Sequence, residues 1–391
     1  MRSRLVGSLL LFLLAINHVS GQGLYSAGGL HGSPGARYQP TQYTAPARVP
    51  RQQPVVQTQA TSVVQQQVVV KQPAPIVHQP VVATHAAPIG NPSCNACPIS
   101  MFFFGEYLYL APRGVDLPFG QIRDGFGAAA VPTGRTGVAD ADYSHGLRIG
   151  GGARLDCKTF IQGSYSWYES STESNLRATT NNVIVPLIIF PNTIPFAPTS
   201  EEATANIDID FHVADIELRR LVYGCDWCQI SYLIGGRYAR LQQDMESLFD
   251  VLGGTEVDTS IDFNGGGIKV GLDGEFGHEC GLFVHTSGSL SLLLGQFDAD
   301  YLQRNAFAGT QAQTDYSDER ILPILDLRIG AGWSGNHVRL MAGYQASMWF
   351  NTMTTPTWIE GVQDSNLTTN GDNLRNTLSF DGFFGQIEFR Y

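Results

Sequence analysis

The chain has 391 residues, of which 43% are hydrophobic, with 24 basic and 35 acidic side chains and a net charge of −11 at pH 7. All 35 acidic residues but only 18 of the basic ones lie in residues 94–391, so this part alone carries −17. A surface this acidic repels phosphates, which excludes nucleic acid as a partner. No apolar run reaches the roughly 18 to 20 residues of a spanning helix, so any membrane crossing has to use strands.

The N-terminus has the pattern of a secretory signal peptide. Arg2 and Arg4 precede an apolar stretch from Leu5 to Ile16, and the small residues of Val19–Gly21 follow as a cleavage site. We therefore predict a signal peptide over residues 1–21 and an exported mature protein.

Residues 22–93 are rich in Pro, Gln and Val and contain no acidic residue. Prolines this frequent oppose helices and central strands, which predicts a disordered, extended periplasmic linker. All of its charges are basic, which leaves two interpretations: a plain spacer, which we favour, or a contact with an anionic cell-wall polymer. These basic residues are Arg37, Arg48, Arg51 and Lys71.

The stretch from Ile268 to Leu294 carries the clearest periodicity. Ile268, Val270 and Leu272 alternate with small or charged residues, and the alternation resumes after the turn at Gly277–Gly281. This pattern predicts two antiparallel strands, each with one apolar and one polar face. Because lipid can cover the apolar face while the polar face lines a lumen, it favours an outer-membrane barrel.

Ten such strands are predicted, which makes the fold class all-β: a transmembrane antiparallel up-and-down β-barrel over residues 94–391. The parity slips between Val213 and Ile216, so we expect a β-bulge at Ala214–Asp215. The predicted strands lie near residues 101–111, 144–156, 159–169, 206–223, 228–241, 261–276, 281–297, 322–334, 337–350 and 378–391.

The connections alternate between short and long, which is typical of barrels with short periplasmic turns and long outer loops. Ten strands then place the N- and C-termini in the periplasm. Twelve strands remain possible, because the apolar run Val183–Phe190 in the second long connection could add strands or fold inward as a plug. The long connections are residues 112–143, 170–205, 242–260, 298–321 and 351–377.

The final strand ends on one parity with Phe389 and Tyr391. A terminal aromatic on an alternating strand resembles the insertion signal of barrel proteins, which the barrel-assembly machinery recognises.

Several motifs resemble the pore-forming outer-membrane protein family typified by the Legionella major outer-membrane protein. They are Phe104–Gly114, Asp215–Arg220, Gly271–Gly295, Ile324–Gly330 and Arg339–Phe350. The resemblance covers about residues 94–391 and implies a β-barrel porin, and it transfers no catalytic residue. A second family of bacterial barrel porins, with Pro- and Gln-rich leaders, has a similar architecture.

Six cysteines lie at the predicted periplasmic end. An even number in an oxidising compartment favours disulfides. Two Cys-x-x-Cys pairs could instead form a four-thiolate zinc site, but zinc thiolates compete poorly with oxidation there. The spacing leaves the pairing open. The cysteines are Cys94, Cys97, Cys157, Cys225, Cys228 and Cys280.

Three further patterns could indicate functional sites, but we favour a structural or solvation role for each. Gly265–Gly267 precedes no helix, so small residues of a barrel wall explain it better than a nucleotide loop. Asp140, Asp142 and His145 lie where some ten-stranded barrels hold a protease site, but without a second acid pair they indicate a solvated loop. A set of acids could hold calcium, yet a solvated acidic surface is the simpler interpretation. These acids are Asp298, Asp300, Asp315, Asp318 and Glu319.

We therefore predict a porin that allows passive diffusion of ions and small solutes, with no enzymatic activity, metal or cofactor and with outer-membrane lipid as its surroundings. The acidity of the barrel domain predicts a preference for cations. Because side chains can fill a narrow barrel, the alternative is a non-conducting structural or adhesin barrel with ligand-binding loops or an envelope-anchoring linker. The predicted pore lining is Arg148, Arg154, Lys269, Asp273, Glu275, Asp326, Arg328, Arg339, Glu388 and Arg390.

Overall fold

Strands dominate the part of the chain that the computed structural model describes. The described residues, all within the compact unit His85–Tyr391, are 100–125, 130–179, 182–191, 193, 201–225, 227–250, 254–277, 281–364 and 374–391. The predicted signal peptide and linker lie outside them, as do Cys94, Cys97 and Cys280. The elements are β1 Met101–Arg113, β2 Leu117–Arg123, β3 Pro132–Ala139, β4 Ser144–Arg154, β5 Thr159–Arg177, β6 Val183–Pro186, β7 Glu202–Cys225, β8 Cys228–Phe249, β9 Thr255–Gly277, β10 Leu282–Asn305, β11 Gly309–Ser334, β12 Val338–Thr352, α1 Thr355–Gln363 and β13 Asn376–Arg390.

Ten of these strands close into one antiparallel barrel, which confirms the predicted fold class. Their order around the wall is β1-β13-β12-β11-β10-β9-β8-β7-β5-β4, and β1 pairs with both β13 and β4. Directly opposite residues can be followed from strand to strand around the barrel, starting at Tyr107. The path through β13 and β12 reaches β11 at Ala331, whereas the path through β4 reaches it at Glu319. This offset means that the strands are tilted against the barrel axis.

The three remaining strands form a separate small sheet in the order β3-β2-β6. The apolar run Val183–Phe190 therefore adds no strand to the wall, because β6 pairs with β2 instead, with Ile184 opposite Ile122.

The wall is much taller on one side than on the other. β4 has 11 residues and β12 has 15, whereas β8 has 22 and β11 has 26. Since a tilted strand needs only about 9–11 residues to cross a membrane, the long strands continue far beyond it. We call these extensions the tall wall and the ten-stranded remainder the lower barrel. The tall wall comprises residues 169–177, 202–213, 239–249, 255–265, 295–305 and 309–323.

Two predicted long loops are wrong. Residues 242–260 and 298–321 are mostly strand, interrupted by short connections after Phe249 and after Asn305. The density of acidic residues indicated solvated loops. In the structure most of these acids occupy alternate positions on the solvated face of strands, as Glu256 and Asp258 do.

The outer face of the lower barrel is an exposed apolar band. A soluble protein does not expose a belt of this size, so its natural surroundings are lipid. Aromatic side chains line its edges, with Phe103 and Trp333 near the chain termini and Tyr109 and Tyr238 towards the tall wall. Exposed members of the band are Ile149, Ile234, Ile268, Val270, Leu272, Leu290, Leu292, Leu294, Ile329 and Ile387.

The tall wall has the reverse arrangement, with an apolar core on its inner side. Phe263 and Phe297 are fully buried, and their tilted rings pack with a centroid distance of 4.6 Å. The core is completed by α1 and by the small sheet, whose Trp358 and Phe119 are also buried. We call α1, β2, β3, β6 and residues 187–190 the plug. No helix among the described residues is long and apolar enough to span a membrane.

α1 enters the barrel because β12 turns inward at Asn351. Asn351 has φ 61°, a left-handed conformation that asparagine tolerates better than most residues. Thr354 then caps α1, with a capping box to Thr357 and a proline in the first turn.

The bulge predicted at Ala214–Asp215 is wrong. Asp215 lies opposite Ser164 on one side and Arg237 on the other, with no register shift there; the shift in β7 lies between Leu221 and Tyr223. Odd-numbered residues face inward along this part of β7. The parity slips in the sequence because the interior changes from the apolar core of the tall wall to a charged lumen.

The glycines at 265–267 belong to the wall, as predicted. A Cβ on Gly267 would lie 1.9 Å from the Leu292 carbonyl oxygen, and one on Gly265 would lie 2.5 Å from the Phe263 ring. Only glycine allows β9 and β10 to approach this closely, since any side chain would displace the backbone of β10.

Candidate functional site

The lumen of the lower barrel is lined by charged side chains and encloses a cavity of about 150 Å³. Most of the predicted lining residues border this cavity or pair with a residue that does. Arg154 does not, because it is exposed at the end of β4. The lining includes Arg148, Lys269, Asp273, Asp326, Arg328, Arg339 and Glu388.

Glu106 on β1 holds two arginines from different strands. Its carboxylate is fully buried and accepts hydrogen bonds from Arg148 Nη1 at 2.7 Å and Arg328 Nη2 at 2.6 Å. Arg148 is on the neighbouring strand, whereas Arg328 is on β11, with two strands between. The second bond therefore crosses the lumen.

A second group of ion pairs is centred on Asp215. Arg237 bonds Asp215 at 2.7 Å and reaches Asp326 across the lumen at 2.6 Å. Lys269 Nζ lies 2.8 Å from Asp215 and 2.6 Å from Glu217. Residues on β7, β8, β9 and β11 are joined in this way, so the group ties together five consecutive strands that form one half of the wall.

Further pairs follow towards the chain termini. Arg219 pairs with Glu217 at 2.8 Å and lies 3.1 Å from Asp273. Arg339 pairs with Glu275 across the lumen at 2.6 Å. At the terminal end, Arg390 pairs with its own-strand neighbour Glu388 at 2.7 Å.

Two of the arginines are also held against the wall by aromatic rings. The guanidinium carbon of Arg328 lies 4.0 Å from the Phe384 ring centroid, and that of Arg339 lies 4.1 Å from the Phe283 centroid. Cation–π contacts at this distance add to the ion pairs and restrict the side-chain rotamers. The arginines are thus fixed in place from two directions.

This arrangement can hold water and ions but leaves little free space. The cavity is large enough for several water molecules. Removing one partner of such a pair leaves an uncompensated charge in a confined space, which is costly.

Sequence reasoning missed five members of this network: Glu106, Asp215, Glu217, Arg219 and Arg237. Glu106 has the parity of the apolar Phe104 and Leu108 on β1, so the rule that apolar residues face lipid gave no signal for it; the structure buries all three. Asp215, Glu217 and Arg219 alternate with Ile216 and Leu218, so the parity that places these two apolar residues towards lipid could have found them.

The plug closes the lumen on the side of the tall wall. Gln363 of α1 donates hydrogen bonds to the carbonyl oxygens of Leu187 at 2.7 Å and Ile189 at 3.0 Å. From β10, Tyr301 donates to the Ile188 carbonyl at 3.0 Å, and Gln303 accepts from the Phe190 amide at 2.8 Å. Side chains of two elements therefore hold residues 187–190 in place.

The residues considered for a protease site are not brought together. His145 lies on the outer face, where it hydrogen-bonds the Tyr107 hydroxyl. Asp140 shares a hydrogen bond with Asp116 beside the small sheet. The structure thus gives these residues different partners on different surfaces.

The acids considered for calcium lie on strands of the tall wall. Asp318 pairs with Arg320 at 2.7 Å, while Asp298 and Asp300 lie on the outer face of β10. A different acidic group, Glu246, Glu256 and Asp258, brings its oxygens within 4.8 Å of one another. Arg304 already pairs with two of them, with Asp258 at 2.6 Å and Glu256 at 3.2 Å.

Cys225 and Cys228 form a disulfide at the turn between β7 and β8. Cys157, at the turn between β4 and β5, is also disulfide-bonded. These turns lie at the end of the barrel where β1 begins.

Comparisons with known proteins place this barrel in a family. The family described as Legionella pneumophila major outer membrane protein precursor matches residues 101–391. No curated protein matches the chain.

Among solved structures, the outer membrane protease OmpT from Escherichia coli is 9% identical, with a TM-score of 0.44, covering 76% of this chain and 99% of that one. A FadL homologue from Pseudomonas aeruginosa is 10% identical, with a TM-score of 0.27, covering 75% of this chain and 90% of that one. Because the family match spans most of the chain, including the whole barrel, the protein belongs to the Legionella major outer membrane protein family and is an outer-membrane β-barrel.

Proposed function

We propose that this outer-membrane barrel is a pore for ions and small solutes that is closed in the present conformation. The observation that carries the proposal is the charged lumen of the lower barrel. A barrel that serves only as an anchor has no need for so many buried charges, whereas a permeation path must be able to hydrate.

Closure has two components. The cross-lumen pairs, such as Glu106 with Arg328, obstruct the lower barrel, and the plug obstructs the tall wall. Opening requires movement of the plug together with rearrangement of the ion pairs. Such a pore would conduct in brief events and would not admit solutes freely, which refines the passive diffusion predicted from the sequence.

The selectivity of this pore would depend on the lumen more than on the net charge of the domain. Most acids of the tall wall face outward into solvent, away from the permeation path. The lumen itself is balanced, with equal numbers of cationic and anionic side chains, so the predicted cation preference should be weak. These are Arg148, Arg219, Arg237, Lys269, Arg328, Arg339 and Arg390 against Glu106, Asp215, Glu217, Asp273, Glu275, Asp326 and Glu388.

We further propose that both chain ends face the periplasm and that the tall wall faces outward from the cell. Short turns at the terminal end support this orientation. Lipid, the barrel-assembly machinery and, through the linker, a cell-wall polymer are the proposed partners. The proposal includes no catalytic role.

Single-channel recording in planar bilayers tests the pore. The double variant Gln303→Ala/Gln363→Ala removes plug tethers. It leaves the carbonyls of Leu187 and Ile189 and the N–H of Phe190 without these partners, each at a cost of about 1–3 kcal/mol. We expect it to open at least ten times more often than the wild type. Gln296→Ala is the matched control, because Gln296 lies on β10 too but bonds Asp298 on the outer face.

The alternative is the non-conducting barrel, and the small cavity together with the cross-lumen pairs favours it. It predicts that neither the wild type nor the untethered variant conducts, although both are inserted and migrate as folded, heat-modifiable proteins. That outcome would refute the pore.

A further inference from the structure

One edge of the tall wall has no strand beside it. β10 pairs with β11 along its length, from Asn305 opposite Gly309 to Leu282 opposite Trp333. β12 pairs with β11 only from Ile324 towards Ser334. Within the described ranges, no strand pairs with the other side of Gly309–Pro323, so this stretch is an edge strand whose free side offers unpaired N–H and C=O groups.

The local sequence explains where the edge begins. Pro323 has no N–H to donate, and it directly precedes Ile324, where the pairing with β12 ends. β12 then turns away at Asn351, whose side chain donates to the Ile321 carbonyl at 3.5 Å. Arg320 reaches the Asn351 carbonyl at 3.4 Å. These contacts cover the start of the edge, so the stretch from Gly309 to Glu319 is the accessible part.

The outer face beside this edge is acidic and uncompensated. Asp315 and Glu319 are exposed, and Asp300 of β10 lies directly opposite Asp315. Like charges in opposite positions destabilise a sheet. In the part of the chain that the structure describes, no ion pair joins Asp300, Asp315 or Glu319 to a cation. On the same wall, by contrast, Glu256 and Asp258 pair with Arg304.

We infer that the edge Gly309–Glu319 is a docking strand for an extended, basic peptide segment of another molecule. The peptide adds to β11 as a further antiparallel or parallel strand, and its backbone pairs with the free N–H and C=O groups. Its Lys or Arg side chains lie over Asp315, Asp300 and Glu319, which relieves their mutual repulsion. This inference is independent of the proposed pore.

Charge complementarity selects this occupant. A second copy of the chain would bring another acidic edge against this one and would be repelled. Charged side chains on edge strands prevent self-association in many proteins, so we expect the acidic residues here to have this effect whether or not a peptide binds. Binding of a basic strand is what distinguishes a docking edge from an edge that only avoids self-association. The edge lies on the tall wall, beyond the apolar band, where water-borne peptides can reach it.

The test uses the full chain in detergent micelles and a synthetic ten-residue peptide of alternating Lys and Val. Binding is measured by fluorescence anisotropy, and its location by hydrogen–deuterium exchange. We expect the peptide to slow exchange within residues 309–319 at least tenfold and a Glu–Val peptide to have no effect. Methylating alternate backbone nitrogens of the Lys–Val peptide should weaken binding at least tenfold, because the ladder loses its donors.

A charge-reversal variant gives the second readout. Asp315→Lys/Glu319→Lys should weaken binding of the Lys–Val peptide at least tenfold. Asp244→Lys/Glu246→Lys is the control, since it makes the same charge change on β8, which has a strand on both sides. The inference is overturned by absent binding, by exchange protection located elsewhere, or by equal binding of the methylated peptide. If the variants fail to fold, the comparison of the methylated and unmethylated peptides on the wild-type protein still tests the inference.

Discussion

The lower barrel and the tall wall are built from the same strands with the same parity, yet their faces are exchanged. On β9 the lower part has Lys269 and Asp273 inside and Leu272 outside, whereas the upper part has Phe263 inside and Asp258 outside. No bulge separates the two. The difference teaches that alternation determines which residues share a face, while the surroundings determine which chemistry that face must have.

The two regions also differ in what stabilises them. Lipid covers the apolar face of the lower barrel, so its interior can hold ion pairs and water. The tall wall stands in water and needs a core, as a soluble protein does. The plug supplies the other half of that core. It is therefore both a structural element and the proposed gate, and moving it exposes apolar surface at a cost of about 25 cal/mol per Å².

The largest expected effect is on the core of the tall wall. Phe263→Ala removes a buried ring that packs against Phe297, and we expect it to lower the free energy of unfolding by about 3–5 kcal/mol. Denaturant titration in detergent, followed by Trp fluorescence, measures this. Asn264→Ala, the exposed neighbour, should cost below about 1 kcal/mol. Equal losses for the two variants would contradict the core assignment.

A matched leucine pair tests where lipid ends. Leu272→Arg places a charge in the apolar band, and it should destabilise the inserted barrel by about 2–4 kcal/mol. Leu302→Arg is also on an outward position, but it lies beside Asp258 and Asp300 on the tall wall. It should change stability by no more than about 0.5 kcal/mol. Refolding yields and denaturation midpoints in lipid vesicles check both, and a large cost for Leu302→Arg would place lipid around the tall wall.

The ion pairs of the lower barrel give a smaller effect on stability and a clear one on selectivity. Glu106→Gln leaves Arg148 and Arg328 without their carboxylate, and we expect a loss of about 1.5–3 kcal/mol. The lumen then has excess positive charge, so reversal potentials across a salt gradient should shift towards anion preference. The control is Glu388→Gln, whose partner Arg390 is half exposed, and it should cost below about 1 kcal/mol. An unchanged reversal potential in a conducting Glu106→Gln variant would exclude this network from the path.

The smallest effect is a pH dependence of the plug. Burial, and then the hydrogen bond to Asp140, raises the pKa of Asp116 from its ordinary value of 3.8. The folded protein therefore holds this proton more tightly than the unfolded chain. The resulting stabilisation is complete below pH 3.8 and is lost as the pH rises through the raised pKa. Unfolding midpoints between about pH 3 and pH 7 should fall more for the wild type than for Asp116→Asn; parallel curves would rule the pair out.

The sequence alone determined the fold class and the approximate position of ten strands, because strict alternation has one physical solution in a membrane. The family was indicated by the resemblance of its motifs, and the family match shows it. The sequence also identified much of the charged lining, such as Lys269 and Arg328, from parity. The signal peptide and linker stay predictions, since they lie outside the described residues.

Only the tertiary structure decided which charges meet. Glu106 and Arg328 are 222 residues apart and pair across the lumen, which follows from barrel closure and not from local pattern. It also decided that acid-rich stretches such as 298–321 are strands, that Ala214–Asp215 is regular, and that α1 lies inside. Alternation defines two faces of a strand but does not determine which face contacts water. That choice depends on whether lipid or water surrounds the wall, and on whether a plug or a lumen lies within it.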